Sequence, residues 1–275
     1  YIKLYPFLKK VTAIHACIEP LAPLAYLASL ISKKPYTITI HGTYACAKNH
    51  GIWSKLFTRS LLKADCIISP SNYTVEKAQI THLSQIKVIP WASRFASHET
   101  KRQFPKEPLF ICIGEIKQRK GIIEAINVFQ EIIEVLSSAR LLIIGNKLST
   151  KYFKQVIDLI KKLNLNEKIT IRSDTTDQEL KSYLQQATAL LFFANDTETV
   201  FEGFGMTHLE AHSFGTPSVG LYQTAAIEII KNNFNGYLIE KPVEGSVKLI
   251  DLANNQENWL KLSNNCLETN KLNSW

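Results

Sequence analysis

Hydrophobic residues fall into short runs rich in β-branched side chains, and these runs alternate with longer segments of helical periodicity. Short apolar runs bounded by polar residues predict strands, whereas apolar positions three and four apart predict amphipathic helices. The predicted strands are residues 11–15, 36–41, 66–69, 87–90, 109–114, 140–145, 168–172, 189–193 and 217–220. The predicted helices are residues 20–32, 53–64, 72–80, 122–136, 151–163, 177–187, 208–214 and 225–232. This alternation predicts an α/β fold with parallel sheets.

The periodicity stops in residues 91–108, a polar stretch with two prolines, and a new strand follows it. A chain of 275 residues is longer than one average core needs. We therefore predict two domains, residues 1–104 and residues 105–275, joined by this stretch.

Composition excludes several classes of protein. With 45% hydrophobic and 20% charged residues, the chain is typical of globular proteins and not of disordered ones. It has no apolar run of about 20 residues and no secretory signal pattern. Its five cysteines are scattered without a C-x-x-C pair, which excludes a disulfide framework and a four-thiolate zinc site. We predict a cytoplasmic protein.

The positive charge is concentrated in the first part of the chain. Residues 1–102 contain 14 Lys and Arg against 4 Asp and Glu, whereas the remainder contains 18 against 20. This asymmetry indicates an anionic partner, which is nucleic acid, a membrane surface or a phosphorylated substrate; a solvated basic surface is the alternative. No RNA- or DNA-binding motif is present, so nucleic acid is not predicted.

The predicted helix 53–64 carries Lys55, Arg59 and Lys63 at every fourth position, with apolar residues on its other sides. Such a helix can lie on an anionic membrane. We predict an anionic membrane surface as a further partner, peripheral at the inner face. Core packing with a solvated basic stripe is an equally good explanation of the pattern.

The segment 201–220 contains the most informative pattern. Gly203 and Gly205 precede a helix that is predicted to start near Met206, and backbone N–H groups at such a helix start suit a phosphate group. Glu202 and Glu210 are separated by seven residues, so both carboxylates are predicted to face one cleft. The alternative is that Glu202 is a loop charge and Glu210 a solvent-facing helix residue.

Two further segments follow predicted strands. Arg119 and Lys120 lie in a turn that Gly121 closes, at the carboxyl end of a strand, where open α/β sheets bind ligands. Lysine offers a point charge and arginine a planar fork for phosphate oxygens. His41, followed by Gly42, ends an earlier strand and is placed to face a cleft. A solvated basic turn and a structural histidine are the alternatives.

Together these segments resemble retaining glycosyltransferases of the GT-B fold, most closely glycosyltransferase family 4, the "glycosyl transferases group 1" set. The family pattern E-x7-E followed by G-T-P matches Glu202, Glu210 and residues 215–217. Lys120-Gly121 after Gly114, the helix and strand pattern of residues 228–239, residues 41–43 and residues 64–74 match as well. The resemblance implies two Rossmann-like domains that flank a cleft. Residues 1–104 would be the partial acceptor-side domain and residues 105–275 the nucleotide-sugar domain.

The resemblance also implies the chemistry: transfer of a sugar, with retention, from a UDP- or GDP-sugar to a hydroxyl acceptor. The acceptor would be a glycan or a lipid-linked precursor in cell-surface glycan or lipopolysaccharide synthesis. Neither a cofactor nor a metal is expected, because in this family Lys and Arg replace a divalent cation at the diphosphate.

The same resemblance assigns residue roles. Glu202, Lys120 and His41 would be catalytic, with Glu202 near the transferred sugar and His41 on the acceptor side. Glu210 would hold the ribose. The remaining donor-binding residues would be Arg119 and Lys120 at the diphosphate, and Gly203, Phe204, Gly205 and Met206 through their backbone.

Two departures from the family pattern leave a second function open. Glu115 stands where the family usually has Arg, and Arg119 is the candidate replacement. The only methionine is Met206 and the first glycine is Gly42, so we expect an amino-terminal segment, including a Gly-rich turn, to be missing. The alternative function is a non-catalytic nucleotide-sugar-binding GT-B-like protein or partner subunit.

Overall fold

The computed structural model describes residues 5–42, 44, 52–95, 102–147, 150–197 and 200–272. The chain forms two compact units, Tyr1–Trp91 with Thr197–Phe204, and Ala92–Asp196 with Gly205–Trp275. A short segment late in the chain thus belongs to the first unit. The domain boundary between residues 104 and 105 stays a prediction.

The described part of the first unit contains a four-stranded parallel sheet in the order β1-β2-β3-β4. Its strands are β1 (Ile14–Ala16), β2 (Tyr36–Thr39), β3 (Cys66–Ser69) and β4 (Ile86–Val88), and its helices are α1 (Tyr5–Leu8), α2 (Ala22–Ser32), α3 (Ile52–Leu62) and α4 (Asn72–Lys77). Ile38 pairs with Ala16 on one side and Ile67 on the other, and all three are buried in the core of this unit.

The described part of the second unit contains a six-stranded parallel sheet in the order β10-β9-β8-β5-β6-β7. The strands are β5 (Leu109–Ile113), β6 (Arg140–Ile144), β7 (Ile169–Arg172), β8 (Ala189–Leu191), β9 (Ser218–Leu221) and β10 (Gly236–Ile239). The helices are α5 (Ile122–Val135), α6 (Thr150–Lys162), α7 (Asp177–Gln186), α8 (Met206–His212), α9 (Glu244–Asn254) and α10 (Gln256–Leu272).

The strand order of the second unit reverses between β5 and β8. From β5 the chain proceeds outward to β6 and β7, and then returns to the other side of β5 for β8, β9 and β10. In open parallel sheets this reversal leaves a crevice at the carboxyl ends of the two adjacent strands, and ligands bind there. The segments that follow β5 and β8 are therefore the place to look for a site.

The predicted α/β alternation is confirmed, with local differences. Helices α1 and α9 were not predicted. Residues 225–232 form a 3₁₀ turn over Ala225–Glu228 and not a helix. The Asn235 side chain accepts from Lys231 N and donates to Ile229 O, and Asn233 is left-handed at φ 60°, so the chain turns toward β10 instead. The strand β10 was not among the nine predicted from periodicity, because four apolar residues after a polar stretch give a weak signal. Among the described residues, none of the helices combines the length and hydrophobicity needed to span a bilayer.

Candidate functional site

The turn after β5 is held against the chain that leaves β8. Gly114 (φ +144°) directly follows β5, a 3₁₀ turn covers Gln118–Lys120, and Gly121 (φ +65°) is the N-cap of α5. A Cβ at Gly121 would lie 1.7 Å from the Phe193 carbonyl oxygen, so only glycine fits there. The backbone beside Lys120 therefore packs directly on the carboxyl end of β8.

Asn195, which follows β8, holds the same turn through hydrogen bonds. Its backbone N donates to Arg119 O at 2.9 Å, and its side-chain Nδ2 donates to Gln118 O at 3.2 Å and Glu124 Oε1 at 2.7 Å. Sequence reasoning missed Asn195, although a polar residue just after a buried strand was a usable signal. The segments after β5 and β8 thus pack against each other at the place where the strand order of the sheet reverses.

Lys120 lies beside a buried histidine on α8. Its Nζ is 4.9 Å from the centroid of the Phe192 ring, and that ring meets His208 edge-on at 5.4 Å. Burial, with a smaller contribution from the charge of Lys120, lowers the pKa of His208 to about 3. His208 is therefore neutral at physiological pH and adds no positive charge beside Lys120.

The departure at Glu115 has a local explanation. Its carboxylate forms an ion pair with Lys117, two residues further along the same turn. The acid is therefore compensated within the turn, and the turn as a whole remains net positive through Arg119 and Lys120.

Gly203 lies in the first unit, where it contacts the amino-terminal end of α4 and the chain after β2. Its carbonyl oxygen accepts from Ser71 Oγ at 2.5 Å and from Thr74 Oγ1 at 2.8 Å. A Cβ on Gly203 would lie 1.8 Å from His41 O, so a side chain is excluded. Because the peptide is planar and trans, the N–H of Phe204 points away from Ser71 and Thr74.

A buried carboxylate fixes the backbone at His41. Glu19 is fully buried, and its Oε1 accepts from the backbone N of His41 at 2.5 Å and of Gly42 at 3.0 Å. The His41 ring donates from Nε2 to Cys17 O at 2.6 Å and lies 5.1 Å from the Trp91 ring. Sequence reasoning missed Glu19, which no motif singled out. Thr43, the last residue of the segment 41–43 that matches the family, lies outside the described residues.

Glu210 lies on α8 in the second unit and is paired with a residue that sequence reasoning also missed. Arg94 Nε donates to Glu210 Oε1 at 2.8 Å, and Arg94 Nη1 donates to Asp177 Oδ1 at 3.0 Å. Burial raises the pKa of Glu210, while Arg94 acts in the opposite direction. Arg94 follows the last strand of the first unit, where its only sequence signal is a positive charge in a polar stretch.

The predicted site residues thus fall into two sets. The first unit holds Glu202, Gly203 and Phe204 together with His41, whose carbonyl contacts Gly203. The second unit holds Arg119, Lys120, Gly205, Met206 and Glu210. Gly205, left-handed at φ 80°, directly precedes α8, which starts at Met206. The E-x7-E pair is therefore divided between the units at the Phe204–Gly205 peptide bond.

The family is decided by a match over most of the second unit. The family model "Glycosyl transferases group 1" matches residues 93–272, which include the Lys120 turn, α8 and Glu210. The chain belongs to this family. Its predicted membership of a glycosyltransferase family is thereby confirmed.

Individual relatives are distant. A probable sucrose-phosphate synthase of Vicia faba is 26% identical over 183 residues, which are 62% of this chain and 17% of that protein. The uncharacterized glycosyltransferase MJ1178 of Methanocaldococcus jannaschii is 23% identical over 259 residues, 92% of this chain and 69% of the relative. The chain thus spans a small part of the first relative and about two thirds of the second.

A solved structure confirms the fold class. Alr3699/HepE of Anabaena in complex with UDP superposes with a TM-score of 0.83 at 15% identity, over 99% of this chain and 77% of that one. The α/β fold with parallel sheets therefore matches that of GT-B glycosyltransferases.

Proposed function

We propose that this chain transfers a sugar, with retention of anomeric configuration, from a UDP- or GDP-sugar to a hydroxyl acceptor. One observation carries the proposal: the cationic turn of Arg119 and Lys120 packs on and is hydrogen-bonded to the chain that follows β8, where the strand order of the sheet reverses. Membership of the glycosyltransferase family supports the reaction class, and a structural neighbour holds UDP.

The proposed roles follow from the charge that develops during transfer. As the bond between the sugar C1 and the diphosphate oxygen breaks, negative charge builds on the diphosphate, and Lys120 with Arg119 stabilises it. The N–H groups of Phe204, Gly205 and Met206 add donors. The acceptor oxygen bonds to C1 on the face that the diphosphate leaves, and the departing phosphate oxygen takes the hydroxyl proton.

The remaining roles concern the nucleotide, the sugar and the acceptor. Glu210 accepts hydrogen bonds from the ribose hydroxyls, and Glu202 lies by the transferred sugar. His41 lines the acceptor side, where Glu19 fixes its backbone. The net positive turn, in which Lys117 compensates Glu115, takes the place of a metal ion at the diphosphate.

The acceptor is proposed to be a glycan or lipid-linked precursor of cell-surface glycan or lipopolysaccharide synthesis, met at the cytoplasmic face of a membrane. Lys55 and Arg59 on α3 and Lys63 just after it are all exposed, and Arg59 Nε donates to Tyr26 OH on α2. Trp53 and Leu62 on the same helix are 64% and 50% exposed. A basic surface with exposed apolar side chains suits an anionic membrane.

A two-step experiment tests the function. Thermal shift with UDP-, GDP- and ADP-sugars identifies the donor, because a ligand that binds the folded state raises its melting temperature. Release of the nucleoside diphosphate is then followed with the stabilising donor and a mixture of lipid-linked and soluble glycan acceptors. We expect one UDP- or GDP-sugar to stabilise the protein and acceptor-dependent release that EDTA does not reduce.

The opposite results are equally informative. Stabilisation by a donor without release under any condition would contradict catalysis and favour the non-catalytic, nucleotide-sugar-binding alternative. Loss of release in EDTA, with recovery on adding Mg²⁺ or Mn²⁺, would contradict the metal-independent mechanism alone.

A further inference from the structure

Arg94 connects two carboxylates that lie far apart in the sequence. Its Nε donates to Oε1 of Glu210 on α8 at 2.8 Å, and its Nη1 donates to Oδ1 of Asp177, the first residue of α7, at 3.0 Å. The Glu210 side chain is only 13% exposed, whereas those of Arg94 and Asp177 are 50% and 66% exposed. The ion pair therefore has one nearly buried end and one end in solvent.

Aromatic and hydroxyl contacts fix the arginine. The Arg94 guanidinium carbon lies 4.6 Å from the centroid of the Phe95 ring, and that buried ring packs edge-on against Phe214 at 5.4 Å. Ser213, just after α8, donates from Oγ to Ser93 Oγ at 2.7 Å. Residues 93–95 are thus attached to the carboxyl-terminal end of α8. These contacts hold the Arg94 guanidinium in a fixed orientation beside Glu210.

Only one of the two carboxylate oxygens of Glu210 accepts a hydrogen bond from the described residues. Arg94 contacts Oε1, and none of the residues that the structure describes donates a hydrogen bond to Oε2. An ionised carboxylate has about four acceptor positions on its two oxygens. Glu210 therefore keeps acceptor capacity for a ligand with paired hydroxyls.

We infer that Arg94 is a positioning residue for nucleotide recognition, which holds Oε1 of Glu210 so that Oε2 accepts hydrogen bonds from the ribose hydroxyls. The inference rests on the proposed role of Glu210 at the ribose. It assigns to Arg94 a function that acts through Glu210 and needs no contact between Arg94 and the nucleotide.

The charged groups around Glu210 shift its pKa in opposite directions, and these shifts can be measured. Burial raises the pKa of Glu210, Arg94 lowers it and Asp177 raises it. On α8 itself, His208 and His212 are buried with pKa values of about 3 and are neutral above pH 5. On α7, Lys181 lies over the Phe95 ring, 5.4 Å from its centroid.

The experiment compares UDP, GDP and their 2′,3′-dideoxy forms by titration calorimetry from pH 5 to pH 8. A hydrogen bond to an ionised group is lost with each of the two missing hydroxyls, so we expect the wild-type protein to prefer the ribose form of its nucleotide by about 10²- to 10⁴-fold. Arg94→Ala should reduce this preference to about threefold or less, and Arg94→Lys should restore most of it. Arg140→Ala, at the exposed amino end of β6, is the matched control and should keep the full preference.

The pH dependence separates positioning from general support of the fold. Binding should fall as the pH drops through the pKa of Glu210, because the protonated carboxyl has lost its charge. Arg94→Ala removes a charge that lowers this pKa, so the fall should move to higher pH. Asp177→Asn removes a charge that raises it, so the fall should move to lower pH. Equal weakening at every pH in both variants would overturn the inference.

Glu210→Gln separates the inference from the proposed function. If this variant keeps the ribose preference, Glu210 does not bind the ribose and its proposed role fails. If it loses the preference while Arg94→Ala keeps it across the pH range, the inference about Arg94 fails and the role of Glu210 stands. Should Arg94→Ala not fold, as judged by circular dichroism, the shift to lower pH expected for Asp177→Asn and the ribose preference expected to persist in Arg94→Lys still decide the matter.

Discussion

Lys120 is the side chain on which the proposed chemistry depends most. Replacing it with alanine removes a cation from the departing diphosphate, and loss of one such donor slows reactions by about 10²- to 10³-fold. We expect Lys120→Ala to lower kcat by this factor and to weaken donor binding. Lys161→Ala, on the exposed face of α6, is the matched control. Wild-type rates for Lys120→Ala with every donor would contradict the assignment.

Gly121 determines where Lys120 lies. A Cβ there would overlap the Phe193 carbonyl oxygen, and the left-handed φ of 65° is itself unfavourable for alanine by roughly 1 kcal/mol. We expect Gly121→Ala to lower the melting temperature and to abolish donor-induced stabilisation together. Gly245→Ala in α9 meets only side-chain atoms, the nearest at 3.3 Å, and serves as the control. Unchanged donor binding in Gly121→Ala would show that the turn does not need its contact with β8.

The sequence predicts the residues of recognisable motifs better than the residues that hold those motifs in place. Lys120 and Gly121 stand in a recognisable turn after a strand, and Gly203 precedes a helix start. Arg94 lies 116 positions from Glu210, and Asn195 lies 71 positions from Glu124. Such contacts arise only when distant segments meet in the fold, so periodicity and spacing carry no trace of them.

Strands β6, β8 and β9 of the second unit were predictable because their apolar residues are buried on both faces. Strand β6, for example, is apolar over four consecutive positions, all of them buried, and α5 buries residues at helical spacing. The 3₁₀ turn at Ala225–Glu228 was not predictable, because its apolar residues mimic a short helix and the side chain of Asn235 redirects the chain.

Arg102 ties several elements of the second unit together. Its Nη1 donates to Phe214 O at 2.7 Å and to Thr216 Oγ1 at 2.9 Å, and its Nη2 donates to Ala187 O at 3.0 Å, just after α7. The guanidinium lies over the Trp259 ring of α10, and burial lowers the pKa of Arg102 to about 10.

We expect Arg102→Ala to reduce the free energy of unfolding by about 2–4 kcal/mol, because it leaves buried acceptors without their donor. Denaturant unfolding of the variant and of Arg172→Ala, an exposed arginine at the end of β7, measures this difference. A loss no larger than that of the control would show that the Arg102 contacts add nothing to stability.

The exposed face of α3 is the element that bears on the membrane proposal. Each basic residue near an anionic bilayer contributes about 1 kcal/mol, so three together shift partitioning by about two orders of magnitude. We expect the protein to sediment with anionic but not with zwitterionic vesicles, and added salt to release it.

Serine at Lys55, Arg59 and Lys63 should abolish most of this vesicle association without changing nucleotide binding. A variant with serine at Lys151, Lys154 and Lys161, exposed on α6, loses the same charge from the other unit and should still sediment. Equal and salt-insensitive partitioning to both vesicle types would leave the stripe as a solvated helix face.

For the whole molecule, the α/β class was predictable from the sequence, but which residues belong to each unit was not. Residues 197–204 are flanked in sequence by the second unit but belong to the first. The reason is local: Ser71 and Thr74 hold the Gly203 carbonyl, and the missing side chain of Gly203 admits His41. The amino-terminal positive charge, by contrast, was visible in composition alone.

The proposed reaction moves a sugar from a nucleotide donor to a hydroxyl with retention. Proton NMR of the reaction with the α-linked donor that stabilises the protein tests it most directly, because the anomeric signal reports both transfer and configuration. We predict that an α-anomeric product signal grows as the donor signal declines. A β-anomeric product would contradict retention, and a donor signal that does not change while the nucleotide is bound would contradict the transfer itself.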